Sequence, residues 1–202
     1  MNTDTARGTL RIPFLVVRAE TASAEQRLAA RMRAGDLSAL AEAYDAHHVH
    51  VRAFAQRLVG EDGVAEDLVQ ETFLALPRAL ARFRGDSSLR TMILSIAINH
   101  ARHYVRAAAR RRAAVARLAR EPAASTPTPA EEVARAELAA ALVRALDGLP
   151  IEQRVVVVLC EVEGRTAVEA AGVVGAPEAT VRTRLHPARR RLSEALAREG
   201  FQ

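Results

Sequence analysis

Apolar residues return at helical spacing along most of the chain. Leu37, Leu40, Tyr44, Val51, Phe54 and Leu58 recur at threes, fours and sevens and form one stripe of an amphipathic helix. The segment GEDG at 60–63 interrupts it. A second stripe follows with Ala65, Leu68, Val69, Thr72, Phe73, Leu76 and Leu80. RGDSS at 84–88 reads as a loop whose hydroxyls and carboxylate suit a helix N-cap. A third helix is expected from about Leu89, with Ile93, Ile96, Ala97 and Tyr104 on one side. Residues 1–24 show no sustained period and are expected to be a flexible N-terminal extension. Their RIPFLVV could dock as a short strand.

After Arg120 the periodicity stops. EPAASTPTPAEE at 121–132 is rich in proline, serine and threonine, so residues 119–133 read as a flexible, semi-extended linker. About 15 residues of this kind span at most ~50 Å, roughly one and a half turns of duplex at ~34 Å per turn. Helices then resume. Leu138, Leu142, Ala145, Leu146 and Leu149 make a stripe ended by DGLP, and IEQRVVVVLCEVEG reads as a short buried helix closed by Gly164. Its consecutive valines would equally suit a strand, but no second strand candidate exists to pair with them. A short helix over 166–174, a turn at GAP and a helix from Pro177 complete a helix–turn–helix. Gly175 permits the left-handed turn, and Pro177 suits a helix start. Val181, Leu185, Leu192 and Leu196 would hold the last helix to the core, leaving its arginines on other faces. The expected fold is all-α: two small helical domains, 25–118 and 134–202, joined by the linker.

Composition sharpens this picture. All 29 basic residues are arginine, and the net charge is +5 with a pI near 10.7. A genome rich in G and C explains the arginine bias most simply, with selection for phosphate-gripping forks the alternative. Either way the balance points to an anionic partner, above all nucleic acid. The stretch 106–120 holds six arginines and no acid, which favours nearby phosphate. Cys160 is the single cysteine, so no disulfide can form within the chain. A reduced, buried thiol in a cytoplasmic protein is expected, with a redox sensor the weaker alternative. No apolar run approaches the ~18 residues a membrane helix needs, and the opening segment is no convincing signal peptide.

In the last helix, arginines lie where the second helix of such a motif meets base edges and phosphates. Pro187 costs a helix interior about 3 kcal/mol and biases His186 away from helical angles. A kink at 183–187 would spare a reading half at Glu178–Leu185.

Two segments together resemble the extracytoplasmic-function group of bacterial RNA polymerase sigma factors. They are AEDLVQETFLALPRALARFRGDSSLRTMILSIAINHARHYVR at 65–106 and LDGLPIEQRVVVVLCEVEGRTAVEAAGVVGAPEATVRTRLHPARRRL at 146–192. The resemblance implies a region 2-like first domain that binds the clamp helices of the polymerase's largest subunit and opens the promoter's upstream-of-start element. The matching polymerase-facing residues are Asp67, Gln70, Glu71 and Phe73. The residues matching the base-capturing and strand-following part are Arg84, Asp86, Ser87, Ser88, Arg90, Asn99, Arg102 and Arg106. A snug loop there could offset the few kcal/mol of base flipping. A buried amide tying helices together is the alternative for Asn99. The linker would thread the RNA exit path. A region 4-like second domain would bind the polymerase flap and read the distant promoter element through Thr180, Arg182, Thr183, Arg184, His186, Arg189 and Arg190. An anti-sigma factor is a further partner the resemblance implies.

The chain departs from the family at Met92, where an aromatic is usual, at Ala170, where a larger aliphatic is usual, and at Pro187. Gly172 adds ~1 kcal/mol against helix. These departures motivate an alternative: a sigma-like interaction protein that does not initiate productively. A free-standing helix–turn–helix regulator would leave 65–106 unexplained. The histidines of HHVH at 47–50, with His100 and His103, lack the carboxylate or cysteine that would complete a metal site. No cofactor, metal or catalytic residue is expected, and the protein reads as a non-enzyme without membrane insertion.

Overall fold

The computed structural model describes residues 24–83, 87–116 and 130–201, and among them every regular element is helical. Helix α1 covers 24–33. It is followed by α2 (Leu37–Val59), α3 (Asp62–Leu80), α4 (Leu89–Ala116), α5 (Ala130–Asp147), α6 (Ile151–Val157), α7 (Ala167–Val174) and α8 (Glu178–Arg198). The N-terminal extension, most of the expected linker, Arg84 and Asp86 lie outside the described residues. Helix α5 begins at Ala130, so the last four positions assigned to the linker are helical. Strong helix formers follow Pro129 immediately, and a proline is readily tolerated at a helix entry.

Local chemistry sets the boundaries. Gly35, at φ 85°, turns the chain between α1 and α2. Asp36 then caps α2 by accepting from the N–H groups of Ser38 and Ala39. The Ser38 hydroxyl and the Arg31 guanidinium hold the Asp36 carboxyl down at about 2. At α7, Thr166 and Glu169 form a reciprocal capping box, the Glu169 N–H donating to Thr166 Oγ1 and the Thr166 N–H to the Glu169 carboxylate.

The valine-rich segment folds as helix, not strand, but α6 does not close at its natural pitch. It widens into a π-helical turn over Val158–Val162, where the Glu163 N–H reaches Val158 O at 2.9 Å. Val155, Val156, Val157, Val158 and Leu159 are all buried, so no residue of the run is left to face solvent. Cys160 beside them is half-buried, and burial pushes its thiol pKa up.

Pro187 sits inside α8, yet the helix runs on through it and His186 remains helical. Leu185 and Ala188, both buried, pin the chain on either side of the proline, and this packing overrides the local penalty. Ala170 is fully buried, and Met92 packs half-buried among the residues of the first core. Gly172 stands in the interior of α7 at a helical φ, and a Cβ there would meet nothing within 4 Å. Gly172→Ala should therefore raise stability by about 0.5–1 kcal/mol, read as a higher denaturant midpoint. An unchanged or lower midpoint would contradict the open environment.

Two apolar cores result. One joins α1, the start of α2, α3 and the start of α4 through Met32, Phe73, Leu76, Leu80, Leu89 and Ile93. The other spans both halves of the chain: Phe54, Leu58, Leu94 and Ile98 pack with Val155, Leu159, Val173, Val181 and Leu185. The α1–α4 unit and the α5–α8 unit thus lie against each other.

Arg154 fastens this junction. It is 4% exposed, and its guanidinium donates to Leu58 O at 2.6 Å, Asp147 Oδ1 at 2.6 Å and Asp147 O at 2.7 Å. It closes the C-terminal end of α2 and the α5–α6 turn with one planar fork.

Candidate polymerase and promoter interface

The first surface lies between α2 and α3. Asp67, Gln70 and Glu71 are exposed on α3. Phe73, by contrast, is 5% exposed. It meets the Tyr44 ring edge-on at 5.0 Å, and Tyr44 stacks on His48. Phe73 therefore forms the floor of a groove of about 460 Å³, whose walls are Leu37, Leu40, Ala41, Tyr44 and Leu74. Asp45 and Gln70 supply polar atoms at its edge. Leu37 and Leu74 are 79% and 76% exposed. Contiguous exposed apolar surface rimmed by polar groups marks a protein-binding face. Glu71 leans away from the groove and meets His100 Nδ1 of α4 at 2.9 Å.

The second surface is α4. Ser88 caps it, its Oγ accepting from the Thr91 N–H at 3.1 Å. A second cap comes from another helix, for the Leu89 N–H donates to the Glu25 carboxylate at 3.0 Å. These two caps fix where α4 begins. Ser87 is exposed. Arg90 reaches back to His50 Nε2 at 3.0 Å and to Glu163 at 3.4 Å. Burial lowers the pKa of His50 and so favours its neutral form. Asn99 is exposed and accepts from Arg102 at 3.2 Å, so it is not a buried helix tie. Arg102 and Arg106 both donate to Glu152.

The third surface is α8. Val181, Leu185 and Ala188 face inward, three and four residues apart. Arg182, Thr183 and His186 are consequently exposed, with Thr180 and Arg184 at the half-buried margin. Arg182 pairs with Glu178 one turn back, at 2.9 Å. Beyond Pro187, Arg189 meets Glu161 at 2.9 Å and Arg190 meets Glu194 at 3.6 Å. The half that precedes the proline thus presents Arg182, Thr183 and His186 to solvent, as the second helix of a helix–turn–helix does toward a major groove.

Sequence reasoning missed Glu25, Glu152, Arg154 and Glu163. Arg154 carried a signal, since one arginine in the otherwise apolar IEQRVVVVL is a buried charge in need of acceptors. The three acids carried none, because their partners are distant in sequence. Among the described residues, no group of three or more His, Cys, Asp or Glu is placed to hold a metal, and no helix is long and apolar enough to cross a membrane.

Residues 43–111 match the family model "Sigma-70 region 2", and residues 139–192 match "Sigma-70, region 4". The chain is 30% identical over 185 residues to the RNA polymerase sigma-H factor of Pseudomonas aeruginosa, covering 87% of this chain and 95% of that one. It is 31% identical over 170 residues to the ECF RNA polymerase sigma factor SigM of Mycobacterium tuberculosis, covering 81% and 80%. The chain belongs to the extracytoplasmic-function sigma factors. Among solved structures, this sigma factor is similar to CnrH in complex with the cytosolic domain of CnrY, at a TM-score of 0.62 and 28% identity over 86% of this chain and 97% of that one. It is also similar to the sigma factor RpoE in complex with the anti-sigma factor NepR from Bartonella quintana, at 0.56 and 27% over 73% and 90%. As a sigma factor it binds core RNA polymerase and directs transcription initiation at promoters.

Proposed function

We propose that each of the three surfaces carries one step of this work. The α2–α3 groove, with Asp67, Gln70 and Glu71 beside it, receives the clamp helices of the polymerase's largest subunit. Phe73 acts from beneath, by shaping the groove and not by direct contact. The loop 84–88 and the α4 face with Arg90, Asn99, Arg102 and Arg106 take the opened upstream-of-start element. On α8, Arg182, Thr183, Arg184 and His186 read the distant element, while Arg189 and Arg190 hold its phosphates. Residues 25–118 then form the polymerase-binding and promoter-opening domain, and 134–202 the reading domain and flap contact. The protein contributes no catalytic group, works in the cytoplasm beside the polymerase, and binds an anti-sigma factor, as the Bartonella quintana sigma factor RpoE binds NepR.

The observation that supports this most is the set of inward residues Val181, Leu185 and Ala188, which leaves Arg182 72% exposed on the outer face of α8. Arg182→Ala should weaken promoter binding by about 1–3 kcal/mol and relax preference at one base position. Equal loss on all sequences would reduce Arg182 to a phosphate contact. Run-off transcription with purified core polymerase tests the whole assignment. Tight core binding without a promoter-dependent transcript would overturn it.

A further inference from the structure

LRIPFLVVR at 10–18 is a strongly apolar run that none of the three surfaces uses. Arg11 and Arg18 flank its apolar part, and no acid stands between residues 5 and 19. Side chains of this kind are more stable covered than in water.

The α2–α3 groove offers such a cover, and its two ends differ. Leu37 marks one end, exposed as Leu74 is. Asp45 and Gln70 mark the other, and Asp67 lies one turn from Gln70 on α3. Among the described residues neither Asp45 nor Asp67 is in an ion pair, whereas Asp36 and Glu42 both hold Arg31.

The chain approaches from the acidic end. Gly35 turns it between α1 and α2, and Arg31 of α1 meets Glu42 of α2 at 2.8 Å, so the two helices run antiparallel. The start of α1 at residue 24 is therefore about level with residue 49, one turn past Asp45. Residues 19–23 span up to ~20 Å, more than the ~10–12 Å width of a helix. Arg18 thus comes within reach of Asp45 and Asp67. From Asp45 back to Leu37 the groove follows α2 for ~12 Å. Four extended residues cover that length, and the four that precede Arg18 are Phe14, Leu15, Val16 and Val17.

We propose that residues 14–17 lie in the α2–α3 groove of the free chain, with Arg18 against Asp45 and Asp67, and that they compete there with the polymerase's clamp helices. The competition rests on the functional reading above; the docking does not. Tethered through so short a connection, the segment is present at an effective concentration in the mM range. Apparent affinity for core polymerase then falls with the fraction of grooves left open.

The docking is tested in the full-length chain with the photocrosslinking residue p-benzoylphenylalanine in place of Leu15 or, in a second chain, of Val17. Links within one chain to residues 37–45 or 70–74 are expected, mapped by mass spectrometry, and core polymerase should remove them. Links to other segments, links between two copies, or no links overturn the docking.

Titration with core polymerase reads the competition. Phe14→Ser should bind core roughly 3–10-fold more tightly than wild type, as for a groove closed in about two thirds to nine tenths of free chains. Val168→Ser is the control: it removes an apolar side chain 63% exposed on α7 and should leave core affinity unchanged. No gain from Phe14→Ser, or equal gains from both variants, overturns the competition. Adding Asp67→Ala and Gln70→Ala to the Phe14→Ser chain separates the two readings. Links to the groove with core affinity untouched by that pair sink the polymerase assignment and leave the docking. Weakened core binding without links sinks the docking and leaves the assignment.

Discussion

Arg154→Met should destabilise the protein by about 3 kcal/mol, the largest loss expected from any single polar substitution described here. The methionine fills most of the stem's volume, so the loss isolates the guanidinium. Four hydrogen bonds disappear, to Leu58 O, Asp147 Oδ1, Asp147 O and Leu149 O. Asp147 is 48% exposed and recovers water. Buried acceptors left without donors cost about 1–3 kcal/mol each, and more when the lost donor is charged. For a chain of this length the loss corresponds to a melting point lower by ~6–12 °C. A drop below about 1 kcal/mol would show that the Arg154 fork does not fasten the α2–α5–α6 junction.

The paired change Asp67→Ala and Gln70→Ala should weaken binding to core polymerase by ~30-fold or more, the effect of removing about 2 kcal/mol from an interface centre. Both side chains are exposed on α3, so thermal stability should stay within about 0.5 kcal/mol of wild type. Titration of labelled protein with core enzyme checks the first quantity and thermal melting the second. Unchanged core affinity would move the polymerase contact off this groove, and lost stability would make the affinity change uninformative. Substitution at Phe73 cannot serve the same purpose, because its buried ring supports Tyr44 and the fold itself.

The helices were legible because their apolar stripes are long. The stripes of Leu37–Leu58 and Ala65–Leu80 fall on α2 and α3; the second faces the cores throughout, as do Val51, Phe54 and Leu58 of the first, whereas Leu37 is exposed and Leu40 and Tyr44 are half-buried walls of the groove. The helix–turn–helix was legible from Gly175 and the spacing of Val181 and Leu185. The break between α1 and α2 was also written in the sequence, in the Gly35–Asp36 pair, but the helical pattern on either side masked it. At Pro187 the expected helix continues, with Leu185 and Ala188 buried on either side of the proline and His186 helical in spite of its local bias. In the valine run the expected buried helix forms over Ile151–Val157, but no local rule predicted the π turn at Val158–Val162 that follows it. Of the candidate site, exposure of Asp67, Gln70, Arg182 and Thr183 followed from periodicity. The convergence of Arg102, Arg106 and Arg184 on Glu152 did not, because it depends on how two units dock, and no spacing within one chain segment encodes that.

The π turn at Val158–Val162 carries a surplus residue, and each residue of a regular helix advances the chain by ~100° about its axis. Loss of one codon from the valine run would let the coil relax to ordinary pitch. Everything downstream would then keep its present bearing, with the Glu163 carboxylate still facing His50, Arg57 and Arg90. An extra residue in α6 that the turn could not absorb would instead swing that carboxylate by the same angle and misaim it.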